Sequence, residues 1–497
     1  MSGQIADYKD MTLSKSLEEN IQLFKNIFKK DAVLRLRRVS VRSACSYDCA
    51  LFYMDGMINA ELLNESVIRP LLTSKAERKE DSLVGFISKQ VLFAGETAVT
   101  DRVEDMLRSV LYGDTLLLVD GCTAAVTINT KGWRTRGISE PEDERVLQGP
   151  REGFDEAALL NLAMIRRKLL TPDLCTEILR VGRRSDTSVF ICYLDSLVNK
   201  RTLGEVKKRV QKLDMDGILD SNYIAEQIRD HPRSLFKTSG STERPDIAAA
   251  RLLEGRIALV VDGTPVVMTV PYLFSENFQS DEDYYLNYAV SSVGRLLRFI
   301  CFFLSVSIPA VFIAATSYHK ELLPTSLALT VAQLRGGVPF SALGECILLI
   351  FVFEILKETG VRMPQSLGHA LSIVGGLVVG QAAVEARIVS APMLIIVALS
   401  GISGLMVPRL KGAVFYLRLS LVILSALFGL YGYIAGITAA VIHILDLSSF
   451  GTSSTVSLDR ASFQSLKDSL WRAPWEKMRT RPFFNRNIIR AGEKRTK

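Results

Sequence analysis

The chain has 497 residues, 48% of them apolar, and a formal net charge of +7; that length exceeds one ordinary core, so two or more domains are expected. The charge is local: residues 451–497 hold eleven Lys/Arg and four Asp/Glu, 11 − 4 = +7, so the other 450 residues sum to zero. A basic tail after a last apolar run reads as a cytoplasmic anchor under the positive-inside rule, and no nucleic-acid partner is expected.

Residues 1–290 read as soluble and residues 292–446 as membrane-embedded. Cys45, Cys49, Cys122, Cys175, Cys192, Cys301 and Cys346 are scattered without zinc spacing, which fits reduced thiols and no metal site. The N-terminus has no apolar run of the signal-peptide kind, so the large N-terminal region is expected to stay in the cytoplasm. Leu17, Ile21, Phe24 and Phe28 fall at helical spacing. Ala50 to Tyr53 is a short strand ending at Asp55-Gly56, and Asn59 to Leu72 is a helix. Thr115 to Val119 ends in Asp120-Gly121, with Ala124 to Ile128 as its hairpin partner.

The same signals return in Val189 to Leu194 before Asp195, and in Ile257 to Val261 before Asp262-Gly263, followed by Val266 to Val270. Asp55 to Asp120 spans 120 − 55 = 65 positions and Asp195 to Asp262 spans 262 − 195 = 67. Paired runs at matching spacing point to two related subdomains split near residue 150. The connector Lys131 to Phe154 interleaves Arg134, Arg136, Arg145 and Arg151 with Glu140, Glu142, Asp143, Glu144 and Glu152. It is either a bridge between subunits or a solvated linker.

Leu296 to Ala315 is a first span with Pro309 as its kink, and Ser317 to Gly337 a polar loop. Val338 to Leu356, Ser390 to Val407 and Ala413 to Leu430 are three further spans. Two apolar runs are short: Leu371 to Ala386, and Tyr431 to Asp446 with its Gly432/Gly436 pair. The first has 16 residues, about 24 Å as a helix against roughly 30 Å of hydrocarbon. The expected fold class is therefore a two-subdomain α/β (α+β) cytoplasmic region followed by an all-α polytopic membrane domain with short re-entrant helices. The expected boundaries are 1–150, 151–290, 291–446 and a basic cytoplasmic tail, 447–497.

No Walker A, GxGxxG, HExxH or GxSxG motif is present, and no enzyme or cofactor is expected. Asp55, Asp120, Asp195 and Asp262 are explained by turn chemistry. In the short segment, Gln381 and Glu385 share a helical face with Val374 and Val378, beside Val379. A polar stripe there faces a pore, or packs with Glu385 at the headgroups. Glu345 and Glu354 lie nine residues apart, on opposite faces of one span. Such carboxylates select cations, relay protons, or pair with Arg387, Arg362 or Arg418.

Four stretches carry a resemblance: KGWRTRGISEPEDERVLQGPREGF, ELLPTSLALTVAQLRGGVPF, EILKETGVRMPQSLG and SIVGGLVVGQAAVEA. Together they resemble the A subunit of GerA-type spore germinant receptors, over residues 17 to 450. The resemblance implies an inner-membrane protein of spores, partnered by a transporter-like B subunit and a lipoprotein C subunit. It implies a homo-oligomeric ring forming a nutrient-gated channel for monovalent cations. It makes Trp133 to Phe154 the candidate subunit contact and Gly375 to Glu385 the candidate pore. Three positions depart from the family pattern: Ser341, Lys320 and Arg387. A cation at Arg387, next to Glu385, weakens cation selection there. Two alternatives stay open: an accessory A-like protein that amplifies germination, and a secondary transporter.

Overall fold

The computed structural model describes residues 5–42, 46–74, 82–132, 140–141, 144, 146, 148–362, 378–455, 468–469, 471–478 and 481. Its N-terminal part is α/β, built on two five-stranded antiparallel sheets. The first holds β1 (Leu34–Arg42), β2 (Ser46–Met54), β3 (Thr97–Thr100), β4 (Thr115–Val119) and β5 (Ala125–Ile128). Its helices are α1 (Leu17–Ile27), α2 (residues 60–73), α3 (residues 83–91) and α4 (Val103–Leu111). The second holds β6 (Leu174–Val181), β7 (Thr187–Leu194), β8 (Gly240–Thr242), β9 (Ile257–Val261) and β10 (Val267–Val270). Its helices are α5 (Ala158–Lys168), α6 (Lys200–Gln211), α7 (Ser221–Ile228) and α8 (Pro245–Leu253). The strand orders, β1-β2-β4-β5-β3 and β6-β7-β9-β10-β8, are the same pattern twice.

Both sheets are covered on both faces, which is why β4 and β9 are buried at every position rather than alternating. Leu116 and Leu118 of β4 join the core under α1 and α4, while Leu117 and Val119 join the one under α2 and α3. In the second sheet, Ala258 and Val260 face α5 and α8, and Ile257, Leu259 and Val261 face α6 and α7.

The repeat reaches single hydrogen bonds. Asp120 accepts from the Leu17 amide at the start of α1, and Asp262 accepts from the Ala158 amide at the start of α5, each at 3.0 Å. Asn20 and Asn161 each tie back the chain six residues earlier, to Ser14 and Asp155. The turn aspartates thus also act as helix N-caps from across the fold. A buried Asp31–Arg166 ion pair at 2.5 Å locks the two units together.

The C-terminal part is helical: α9 (Tyr288–Ser317), α10 (Thr325–Arg335), α11 (Ala342–Arg362), α12 (residues 378–385 as described), α13 (Ala391–Leu405) and α14 (Lys411–Asp446). Tyr288–Ser317 and Pro408–Asp446 are long and apolar enough to cross a membrane. The segment 317–337 is not simply a polar loop, because Pro324 starts the helix α10 within it. Helix α13 is 15 residues long, about 22 Å, shorter than the span expected from residue 390 to 407.

Ala413 to Leu430 and Tyr431 to Asp446 form the two legs of one hairpin. Gly429 adopts φ 59°, ψ −142°, and the chain reverses there. The Tyr318 hydroxyl donates to the Ala426 carbonyl at 2.6 Å, closing the tip. Gly432 and Gly436 let the legs touch: a Cβ on Gly432 would lie 2.1 Å from the Leu424 carbonyl oxygen. The second leg ends against the α/β part, where His443 Nε2 meets Ser234 Oγ at 2.9 Å. Beyond it, residues 447–455 plug into the second sheet unit. Phe450 joins that core, and Ser449 Oγ receives the Tyr272 amide and donates to the Thr238 carbonyl.

Two substitutions test this arrangement in the full chain in detergent. Phe450→Ala should destabilise by ~3–5 kcal/mol, the usual cost of emptying an aromatic core site; a denaturant midpoint equal to that of the parent chain would remove the plug from the core. Gly432→Val should destabilise by more than the ~1–3 kcal/mol of ordinary overpacking, read from the denaturant midpoint, because its added atoms collide with backbone rather than a side chain.

Candidate functional site

Helix α12 has two faces. Gly380, Ala383 and Val384 pack inward, with the Gly380 position 3.6 Å from Leu394. Val378 and Val379 are 57% and 48% exposed. Gln381 and Glu385 share that open side, one helical turn apart, and the Gln381 amide donates to Glu385 Oε1 at 2.9 Å. Val374 and the rest of residues 371–377 lie outside the described residues.

The helix stops at Arg387, whose φ of 55° places it in the left-handed region favoured by glycine. Ile388 N–H bonds back to the Ala383 carbonyl at 2.9 Å, closing the end. The guanidinium then lies over Gly337. Among the described residues no ion pair joins Arg387 to Glu385, so the adjacent cation does not occupy that carboxylate.

The structure keeps Glu345 and Glu354 apart from this pair. Glu345 is fully buried. Its Oε1 accepts both the Ser390 amide and hydroxyl at 2.5 Å, capping α13 from another helix. Arg335 stands 3.8 Å from its other oxygen. Glu354 pairs with Lys357 at 2.6 Å. The Glu354–Lys357 pair lines a cavity of about 170 Å³ with Gly404, Lys411 and Arg418. Arg418 is buried, donating to the Ser305 carbonyl at 2.8 Å and the Ser400 carbonyl at 3.3 Å. One side chain thereby joins α9, α13 and α14.

An ionic collar that the sequence reading missed fixes the helical part to the second sheet unit. Arg409, in the turn between α13 and α14, reaches Asp281 at 3.1 Å and Glu144 at 3.3 Å. Glu144 also accepts from Thr242 and the Glu243 amide. Part of the charged connector therefore binds within the same chain. Burial raises the Glu144 carboxyl, and Asp281 beside it adds to the rise.

Asp283 sits at the foot of α9, gripped by Arg295 at 2.8 Å and Arg298 at 2.6 Å. Burial alone would raise this carboxyl, but hydrogen bonds from Arg298 and Arg295 outweigh it and hold it below the ordinary carboxylate range. Arg295 bonds onward to Asp468 of the tail at 2.9 Å. A legible signal existed: the run Asp281-Glu282-Asp283 precedes Arg295 and Arg298, bases one helical turn apart. Of the connector's candidate contacts, Arg151 and Glu140 lie 3.5 Å apart and exposed. Arg134, Arg136, Glu142 and Arg145 lie outside the described residues.

The collar predicts a pH response. A depressed carboxylate contributes stability above its unfolded pKa and loses it as pH falls through the folded one. The thermal midpoint of the full chain should therefore fall on acidification below the ordinary aspartate range, and Asp283→Asn should flatten that limb. An unchanged acid limb in the variant would exclude Asp283 as its source. Arg409→Gln should free the connector, read as faster proteolysis between residues 133 and 154; unchanged cleavage would show that Arg409 does not hold it.

The likeness to known proteins runs along most of the chain. The family described as Bacillus/Clostridium GerA spore germination protein matches residues 22–484. Spore germination protein KA of Bacillus subtilis (strain 168) is 38% identical over 477 residues, covering 95% of this chain and 87% of that protein. Spore germination protein GerLA of Bacillus cereus is 32% identical, covering 91% and 92%. The crystal structure of the N-terminal domain of the A subunit of the Bacillus megaterium spore germinant receptor GerK3 is 31% identical. It covers 53% of this chain and 98% of that one, with a TM-score of 0.43. The chain belongs to the GerA spore germination protein family.

Proposed function

We propose that this chain is the A subunit of a spore germinant receptor, and that copies of it assemble into a ring enclosing a nutrient-gated channel for monovalent cations. The observation that carries the reading is the open side of α12, where Gln381 and Glu385 stand beside Val378 and Val379 on an apolar helical layer. A charge at the bilayer centre costs about 2.5–3.5 kcal/mol on insertion scales. Turning this side into a lumen removes that cost. A ring of carboxylates then attracts cations, and a ring of valines closes the path by excluding water. Glu345 and Glu354 act differently here: Glu345 caps α13, and Glu354 is neutralised by Lys357.

The membrane is the spore inner membrane in this reading. The soluble part and the tail share its cytoplasmic side, supported by the return of α14 to Ser234. The functional units are 1–150, 151–290, 291–446 and 447–497. The exposed Glu140 and Arg151 are available to a neighbouring copy, and transporter-like B and lipoprotein C subunits complete the receptor. No catalytic turnover is involved.

Spores carrying Val378→Ala, Val379→Ala or Gln381→Ala at normal protein levels test the reading. Leak of monovalent cations without nutrient, or altered ion selectivity, is expected. Normal germination in all three would move the conduction path elsewhere and leave α12 as a packing element.

A further inference from the structure

The tail does more than end the chain. Residues 471–478 dock beside the first turns of α9. The Arg472 amide bonds to Ser292 Oγ at 3.1 Å, and its guanidinium donates to the carbonyls of Asp283 at 2.8 Å and Leu286 at 2.6 Å. That guanidinium also covers the Trp475 ring at 5.1 Å, fixing its direction. Trp471 and Trp475 nonetheless stay 51% and 59% exposed. Tyr288 (47%), Val290 (61%) and Val293 (68%) are exposed on α9 at the same level.

This level has a physical meaning. The 30 residues of α9 make about 45 Å of helix, as much as hydrocarbon plus both headgroup layers. The exposed apolar stripe of α9 starts at Val290 and runs on through Leu296, Leu297, Ile300 and Phe303. Ser292, where the tail is pinned, therefore stands at the boundary between headgroups and hydrocarbon. Tryptophan and tyrosine concentrate there because their rings are apolar at one end and polar at the other. The segment holding them belongs to the part of the chain with net charge +7, residues 451–497, which suits an anionic surface.

We propose that residues 471–478 and the first turns of α9 form a ledge resting on the headgroups of anionic phospholipids. Trp471 and Trp475 seat in the interface, and Lys477 adds charge. The ledge goes beyond the channel reading; it requires only that the helical part sits in a bilayer.

The sequence makes the test clean, since the chain has three tryptophans. Trp133→Phe leaves the two in question, and further Trp→Phe changes isolate each. The full chain is placed in nanodiscs of phosphatidylcholine and phosphatidylglycerol whose acyl chains carry bromine near the ester end or near the methyl end. Trp475 should show a blue-shifted emission and about a two-fold loss with the shallow bromine, with a smaller loss for the deep one. Phe303→Trp, on the lipid-facing side of α9, is the internal reference. Quenching of that reference but not of Trp471 or Trp475, with aqueous iodide reaching both, overturns the ledge while leaving the membrane placement intact. Absence of quenching at the reference would instead remove the placement itself. Protection of Trp475 that appears only on cross-linking subunits would assign the surface to a second copy, and also overturns the proposal.

Discussion

A guanidinium at the foot of an apolar helix has few places to go. Arg295 is fully buried and needs a carboxylate, and Asp283 supplies one just before the helix begins. Leaving either charge alone in that position would cost several kcal/mol. The α/β part, the first long helix and the tail thus meet at one point that none can vacate alone. Arg409 repeats the device beside it, joining the turn before α14 to Glu144 and to Asp281, two residues before Asp283. The result is an ionic floor beneath helices that leave many large side chains exposed.

That exposure is informative. Protein interiors elsewhere in the chain are fully covered sheets, whereas the helical part leaves large side chains open along α9, α12 and α14. Lipid accounts for the apolar ones. It does not account for an amide and a carboxylate on the same open side of α12. The proposed lumen between copies would account for both.

Much of this was legible in the sequence. Strands ending in Asp-Gly announced themselves, because a period-2 or continuous apolar run broken by a turn has few other readings. The duplicated spacing was visible for the same reason. What those aspartates do was not visible: Asp120 and Asp262 cap helices more than a hundred residues away in sequence, and spacing carries no trace of that. In the helical part, hydropathy located the runs but not their direction. Gly429 reverses the chain through one backbone angle, and the Gly432/Gly436 pair, which sequence alone assigns to any close helix, faces its own preceding leg. Glu345 looked like Glu354 on paper. Only the arrival of Ser390 distinguishes a capping carboxylate from a paired one.

The plug formed by residues 447–455 has a consequence for how the protein is made. The second sheet unit is translated by residue 290, yet its core lacks Phe450, and Tyr272 and Thr238 lack their hydroxyl partner. These arrive only after every helix of the C-terminal part has left the ribosome. Completion of the second sheet unit therefore waits on synthesis of the helical part, and a chain whose hairpin is misplaced cannot present Phe450 to that core. The fold carries its own check on the placement of its helices.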